Sequence, residues 1–311
     1  MSVRVTALAG GTGAAKLLRG LARVIEPAAL TVIGNTGDDT EVWGLHVSPD
    51  LDTVTYALGG LLDVGRGWGR IDESFHCLDA MAGLGAESWF NLGDRDLATH
   101  LFRTRALRAG RALSDVTADL ARRHGVAARV LPMSDEPVRT RIETPDGWLD
   151  FQEYFVREKA QPAVRAVAYV GAERARPAPG VLEAVHESDV VLVCPSNPVT
   201  SVGPILAVPG IVEALGATRA AVVGVSPIVG EAPVSGPAGT LMRARGLAVS
   251  AAGVADAYAP WLRTLVVDVR DPGAVEAVGG RGVRAVAADT MMTDRATEIA
   301  LARAVLAAVT R

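Results

Sequence analysis

"VRVTALAGGTGAAK", residues 3–16, decides the fold. VRVTALA is a short apolar run bounded by glycine, which predicts a buried strand. GGTG follows at once. AAKLLRGLARVI (residues 14–25) then places apolar residues at helical spacing. Strand, glycine loop and helix in that order make an anion site. Glycines let the backbone come close to a phosphate, and the helix presents unpaired N–H groups and the positive end of its dipole. The stretch meets neither common template. A Walker loop needs Gly-Lys followed by Ser or Thr, yet Lys16 lies between Ala15 and Leu17. A dinucleotide fingerprint is matched at Gly11 and Gly13, but Lys16 takes the place of its third glycine. The context still points to a phosphate of a nucleotide, held by Gly10, Gly11, Thr12, Gly13 and Lys16. The alternative is a tight turn that needs glycine only for its geometry.

The same theme continues outward. ALTVIGN (29–35) is a second short apolar strand. In the second half, DVVLVCPSNP (189–198), RAAVVGVSP (219–227), RTLVVDV (263–269) and VRAVAAD (283–289) read as further strands. GPILAVPGIVEALGA (203–217) reads as a helix interrupted by proline, and TDRATEIALARAVLAAVTR (293–311) as an amphipathic helix capped by Thr293 or Asp294. Buried strands alternating with helices predict an α/β fold: a Rossmann-like, mostly parallel sheet with helices on both faces. The middle differs. GDRDLATHLFRTRALRAG (93–110) and LSDVTADLARRHGV (113–126) predict two helices, the second capped by Ser114. VRTRIETPDGWLDFQEY (138–154) predicts a β-hairpin around Pro-Asp-Gly. The expected organisation is a core over residues 1–65 and 160–311, with a largely helical, hairpin-bearing insertion over 66–159.

Bulk properties exclude several classes. The 311 residues are 49% hydrophobic and 21% charged, with a net charge of −4. This is a globular composition, and it argues against nucleic acid or a membrane surface as partner. Aromatic residues make up 5%, too few for a stacking platform for single strands. The two cysteines, Cys77 and Cys194, form no CxxC and read as reduced, mostly buried thiols. The opening residues show no signal peptide, and no stretch reaches a membrane span, so a cytoplasmic location is expected. Hydrolase motifs of the G-x-S-x-G or HExxH kind are absent.

NTGDDTEVWGLHVSPDLDTVTYALGG (35–60) gathers Asp38, Asp39, Glu41, Asp50 and Asp52 after the second strand. That is the carboxyl edge of the sheet, where ligands bind in open α/β folds. Clustered carboxylates repel unless a cation joins them. Magnesium suits such a site, because it takes one or two carboxylates and fills its shell with water and substrate phosphates. Helix capping is the plainer use and explains one or two of the five, Asp50 after Pro49 among them. NLGDRDLATHLFR (91–103) offers Asn91, Asp94, Arg95, Asp96 and His100, with Arg95 as a candidate clamp for phosphate or carboxylate. MSDEPVRTR (133–141) adds Asp135 and Glu136, and PSNP (195–198) aims Ser196 and Asn197 from a rigid turn. The lone histidines read as structural.

Eight stretches in this order are similar to the 2-phospho-L-lactate transferase family of coenzyme F-420 biosynthesis. They are GGTGAAKLLRGL, GNTGDD, SPDLDTVTYALGG, LGDRDLATH, LPMSDEPVRT, CPSNPVTSVGPIL, VSPIVG and SGPAG. The resemblance implies one domain over residues 1–311 and a magnesium-dependent transfer. The ribitol hydroxyl of 7,8-didemethyl-8-hydroxy-5-deazariboflavin (Fo) would attack a guanosine diphosphate ester of lactate, enolpyruvate or another three-carbon acid, and GMP would leave. It implies Asp38 and Asp52 as the metal pair, Asp50, Asp52 and Arg95 as catalytic residues, and Asp52, Asn91, Arg95, Asp135 and Glu136 around Fo. The nucleotide would lie on the glycine loop, Lys16, Asn35, Ser196 and Asn197. Family members are often homodimers. Two other readings compete. One is a regulator of the same fold that binds a uridine diphosphate sugar without catalysis. The other is an NAD-dependent oxidoreductase, opposed by Lys16 and by Asn35 where that fold places an acidic residue.

Overall fold

Seven parallel strands form the centre of the computed structural model, which describes residues 3–309. They are β1 (Val5–Ala9), β2 (Leu30–Gly34), β3 (Arg129–Pro132), β4 (Val190–Val193), β5 (Ala221–Val225), β6 (Thr264–Asp268) and β7 (Arg284–Ala288). Their spatial order is β7-β6-β5-β4-β1-β2-β3, and every neighbouring pair is parallel. β1, β4 and β6 are buried at each position. This accounts for their unbroken apolar runs, since both faces of such a sheet are covered. Alternate residues feed two cores. Leu8, Ile33 and Val191 pack on one face, and Ala7, Val32 and Leu192 on the other.

Chain direction across the sheet reverses between β1 and β4. An open α/β sheet leaves a crevice outside the carboxyl ends of its strands at such a point. Five helices matter for it: α1 (Gly11–Leu21), α2 (Pro49–Leu58), α3 (Asp94–Arg108), α4 (Leu113–Arg123) and α5 (Arg295–Val309). Asp294 caps α5 as expected, its Oδ1 accepting the Thr297 N–H at 2.9 Å; Thr310 and Arg311, part of the expected helix, lie outside the described residues. Ser114 does not cap α4. It sits inside the first turn, and its N–H and Oγ both donate to Asp135 at 2.6 and 2.9 Å. A carboxylate from a distant turn has taken over the capping.

The expected hairpin is present, Arg139–Thr144 against Gly147–Asp150, and Ala166–Val170 adds a third antiparallel strand to it. The insertion does not match the expected 66–159. β3 arises inside that segment yet forms an edge of the central sheet, and Ala166–Val170 belongs to the small sheet. Pro132 ends β3, and an edge strand tolerates the missing N–H. The proline interruption also holds: helices Gly203–Ala207 and Ile211–Ala217 meet at a sharp bend. Among the described residues no single helix is long and apolar enough to cross a membrane.

Candidate active site

A cleft of about 820 Å³ lies over the carboxyl ends of the strands, lined by residues that directly follow β1, β4, β5 and β7. The glycine loop is its floor. Gly11 opens α1 with a φ of +71°, a conformation that glycine adopts without strain. Gly13 is fixed by space: a Cβ there would stand 2.3 Å from the Pro195 carbonyl oxygen. Glycine is thus what lets α1 point its N-terminus into the cleft beside the turn after β4. Ser196 ties the two together, its Oγ donating to the Gly10 carbonyl at 2.7 Å and accepting the Gly10 N–H at 3.3 Å. Asn197 lines the cleft too, but its Oδ1 accepts the Val199 N–H at 2.9 Å within its own turn. Lys16 reaches across to donate to the Met292 carbonyl at 3.1 Å.

The aspartates divide into distinct environments. Asp50 stands in the first turn of α2 rather than at its cap. Its Oδ1 accepts the Gly11 N–H at 2.7 Å, and its Oδ2 accepts Asn35 Nδ2 at 2.8 Å. Burial pushes its carboxyl up to about 6 against those hydrogen bonds. Asn35 is fully buried and also donates to the Thr200 carbonyl at 3.1 Å. It therefore supports Asp50 from below and is not among the residues lining the cleft. Asp38 is buried as well. Desolvation, then the charge of Asp50, raises it well above the usual carboxylate range, and its Oδ1 has no hydrogen-bond partner among the described residues. Asp39 turns to the short hairpin that follows it, Thr40–Val42 against Leu45–Val47, accepting Ser48 Oγ at 2.9 Å just beyond it and lying 2.8 Å from His46 Nε2.

Asp52 is paired. Arg103, only 1% exposed, grips both of its oxygens, Nη1 at 3.0 Å to Oδ2 and Nη2 to Oδ1. One face of α3 supplies this partner together with Asp96 and His100, at helical spacing. Nδ1 of His100 lies 3.7 Å from Asp52 and Nε2 lies 3.4 Å from Asp96. Tyr56 donates to Asp96 Oδ1 at 2.6 Å. Burial would raise the Asp96 carboxyl, but His100, Tyr56 and Arg103 hold it below its usual range. Asp52, Asp96 and His100 have metal-type donors within 4.8 Å of one another, and Arg103 already supplies the positive charge there. Four aromatic residues also line the cleft: Trp68, Phe90, Phe151 and Phe155. The last two rings stack with centroids 5.5 Å apart and 6° between planes.

Of the expected site residues, the glycine loop, Lys16, Asp38, Asp50, Asp52, Asn91, Ser196 and Asn197 converge on this cleft. Arg95 does not. Its side chain is 52% exposed, 3.7 Å from Asp72, on a flank of α3 turned from the cleft. Asp135 is occupied at α4. Glu136 is bound to Ser134 and Arg176 away from the cleft, and the Arg176 backbone N–H leads in pulling it down to about 2. Arg103, Tyr56 and the aromatic residues were not selected from the sequence, and Asp96 and His100, named within the 91–103 stretch, were given no role there. Their signal was the i, i+4, i+7 spacing of Asp96, His100 and Arg103. Cys194 is buried as expected, whereas Cys77 is exposed.

The profile of the 2-phospho-L-lactate transferase CofD family matches residues 5–305. A phosphoenolpyruvate transferase of Streptomyces avermitilis is 51% identical over 98% of each chain, and one from Streptomyces griseus is 49% identical with the same coverage. A 2-phospho-L-lactate transferase of Methanosarcina mazei is 44% identical over 96% of this chain and 98% of its own. Among solved structures, a UPF0052-family protein from Bacillus halodurans superposes with a TM-score of 0.67 at 19% identity, covering 98% of this chain and 99% of its own. That likeness concerns the fold alone.

Proposed function

The chain belongs to the 2-phospho-L-lactate transferase CofD family, and from that premise we propose that it transfers an enolpyruvyl phosphate from its guanosine diphosphate ester to the ribitol hydroxyl of Fo, releasing GMP. The enolpyruvyl donor is favoured because the phosphoenolpyruvate transferases of Streptomyces match at 49–51% identity, above the 44% of the M. mazei lactate enzyme. The regulator alternative is not favoured, since the sequence relatives carry transferase names.

The observation that carries the proposal is the charge of the cleft. Among the described residues lining it stand four aspartates, Asp38, Asp50, Asp52 and Asp96, against one lysine, Lys16. A diphosphate ester would be repelled there without a cation. Arg103, His100 and Tyr56 engage Asp52 and Asp96. Among the described residues Asp38 has a buried oxygen without a hydrogen-bond partner, as does Asp39 outside the cleft lining; the Asp38 oxygen, facing the cleft, fits a divalent ion. Asp38 would hold magnesium, with Asp52 as the second, Arg103-paired carboxylate. When bound, the ion would neutralise the phosphates and stabilise charge as the phosphoryl group transfers. The chain's own groups do the positioning. The N-terminus of α1 and Lys16 bind the phosphates, the stacked Phe151 and Phe155 take the deazaflavin ring, and Asp52 accepts the hydrogen bond of the attacking hydroxyl. The new bond joins that oxygen to the phosphorus carrying the acid, and the bond from this phosphorus to GMP breaks. A homodimer working in the cytoplasm belongs to the same proposal and rests on the family resemblance.

The test is to mix purified protein, Fo, magnesium and either the enolpyruvyl or the lactyl donor, and to follow GMP and the mass of the deazaflavin product. Product that is lost with EDTA and formed faster from the enolpyruvyl donor is expected. Absence of product from both donors would overturn the reading.

A further inference from the structure

Two helices close a ring of buried side chains beneath the cleft. α2 contributes Asp52 and Tyr56, and α3 contributes Asp96, His100 and Arg103. Arg103 Nη1 reaches Asp52 Oδ2 at 3.0 Å, His100 Nδ1 at 3.3 Å and the His46 carbonyl at 3.4 Å. A guanidinium carries donors only, so Nδ1 accepts and the ring proton stands on Nε2, which faces Asp96 Oδ2 at 3.4 Å but makes no hydrogen bond among the described residues. Asp96 Oδ1 accepts Tyr56 Oη at 2.6 Å, and Tyr56 follows Asp52 by one turn of α2. Arg103 thereby ties Asp52 to His100, Tyr56 holds Asp96 beside them, and Asp52 cannot rotate without breaking both contacts to Arg103.

Stability does not explain such a ring. Buried ion pairs are often no more stabilising than apolar side chains of the same volume. Fixing one carboxylate at one angle does explain it. We infer that Arg103 and His100 are positioning residues that set the orientation of Asp52 toward the attacking hydroxyl, a role that rests on the transfer reading of the cleft. Attack geometry is sensitive to small displacements, so a carboxylate held by a bidentate fork is preorganised where a free one is not.

Two isosteric changes at one position separate positioning from packing. In His100→Asn the amide oxygen can stand where Nδ1 stands and still accept from Arg103. In His100→Gln the amide reaches toward Asp96 and the acceptor for Arg103 is gone. His100→Asn is expected to keep kcat within about threefold, while His100→Gln and Arg103→Lys lose roughly 10–100-fold in kcat, as lost supporting contacts do, with the donor KM unchanged. Equal losses in the Asn and Gln variants, or losses confined to KM, would overturn the inference. A second measurement does not depend on turnover. Nitrogen-15 spectra of histidine-labelled wild type should show the His100 Nδ1 as the acceptor of the Arg103 N–H, with the ring proton on Nε2, and Arg103→Lys should lose that fixed tautomer. A proton on Nδ1 in the wild type would also overturn it. If the wild type makes no product, the transfer reading fails, and the spectra still decide whether the ring exists.

Discussion

Asp50 and Asp38 are buried carboxylates with little to neutralise them, and that has a consequence for stability. Burial lifts Asp50 from 3.8 to about 6 in the folded protein. A folded value above the unfolded one means that the folded state binds the proton more tightly. The contribution is therefore complete below about 3.8 and is lost as pH rises through about 6. A rise of that size corresponds to roughly 3 kcal/mol, and Asp38 is displaced in the same direction, first by burial and then by Asp50. The metal-free protein should melt at a lower temperature near neutral pH than in mild acid, and Asp50→Asn should flatten that profile. Magnesium should raise the melting temperature near neutral pH and do little in mild acid, where protons occupy the same oxygens. A melting temperature that ignores pH, or a magnesium-induced rise of equal size in both conditions, would count against this electrostatic picture. Asp38→Asn should abolish the magnesium effect and turnover together while making the metal-free protein more stable, because it removes a buried charge that repels Asp50. Calorimetry with and without magnesium reads both effects.

At the scale of elements, α3 shows where the sequence was legible and where it was not. Its extent was readable, and so were the buried strands, because a parallel sheet covered on both faces writes itself as continuous apolar runs. The hairpin followed from Pro-Asp-Gly. The orientation of α3 was hidden. Its inner face carries Asp96, His100 and Arg103, all buried, so apolar periodicity marks no inside, and Arg95 drew attention only for its charge. Asp135 was misread for a related reason: sequence does not say which carboxylate will cap a helix elsewhere in the chain. Arg95 is not among the residues that line the cleft, whereas Arg103 pairs with Asp52 there. Arg95→Ala should change kcat less than about twofold, the usual scale for a substitution at an exposed site. A loss above tenfold would return Arg95 to the site. α1 gives a second case. Gly13→Ala would drive a Cβ to 2.3 Å from the Pro195 carbonyl, which is backbone and cannot swing aside. The helix N-terminus must shift, so the donor KM should rise about tenfold while the Fo KM stays unchanged. Steady-state kinetics with each substrate varied in turn would show a general defect instead if the loop only served folding.

Across the whole molecule, the cleft is assembled from segments nearly three hundred residues apart. The strand order brings the loop after β1 beside the turn after β4, and the 290–293 segment after β7 reaches back to Lys16. Residues 3–16 predicted the first half of this arrangement. The second half depends on pairing between distant strands and on an edge strand, β3, that emerges from within the expected insertion. Local sequence carries no record of either. The closure is held by α5. Arg19 of α1 pairs with Glu298 of α5, both buried, and Gly20 lets the helices touch, since a Cβ there would stand 2.2 Å from the Glu298 carbonyl oxygen. Removing one partner leaves an uncompensated buried charge. Glu298→Ala should therefore cost about 3–5 kcal/mol, whereas Arg19→Met with Glu298→Leu should come within about 1–2 kcal/mol of wild type. The pair also fixes α5 directly behind the segment that holds Lys16. Loosening it should raise the donor KM in Glu298→Ala, and the apolar pair should restore it. Urea unfolding and donor kinetics on the two variants decide between two cases. If stability recovers in the double variant and KM does not, the charge pair itself sets the position of the segment. If both recover, close packing of α1 on α5 is what holds the nucleotide end of the cleft in place.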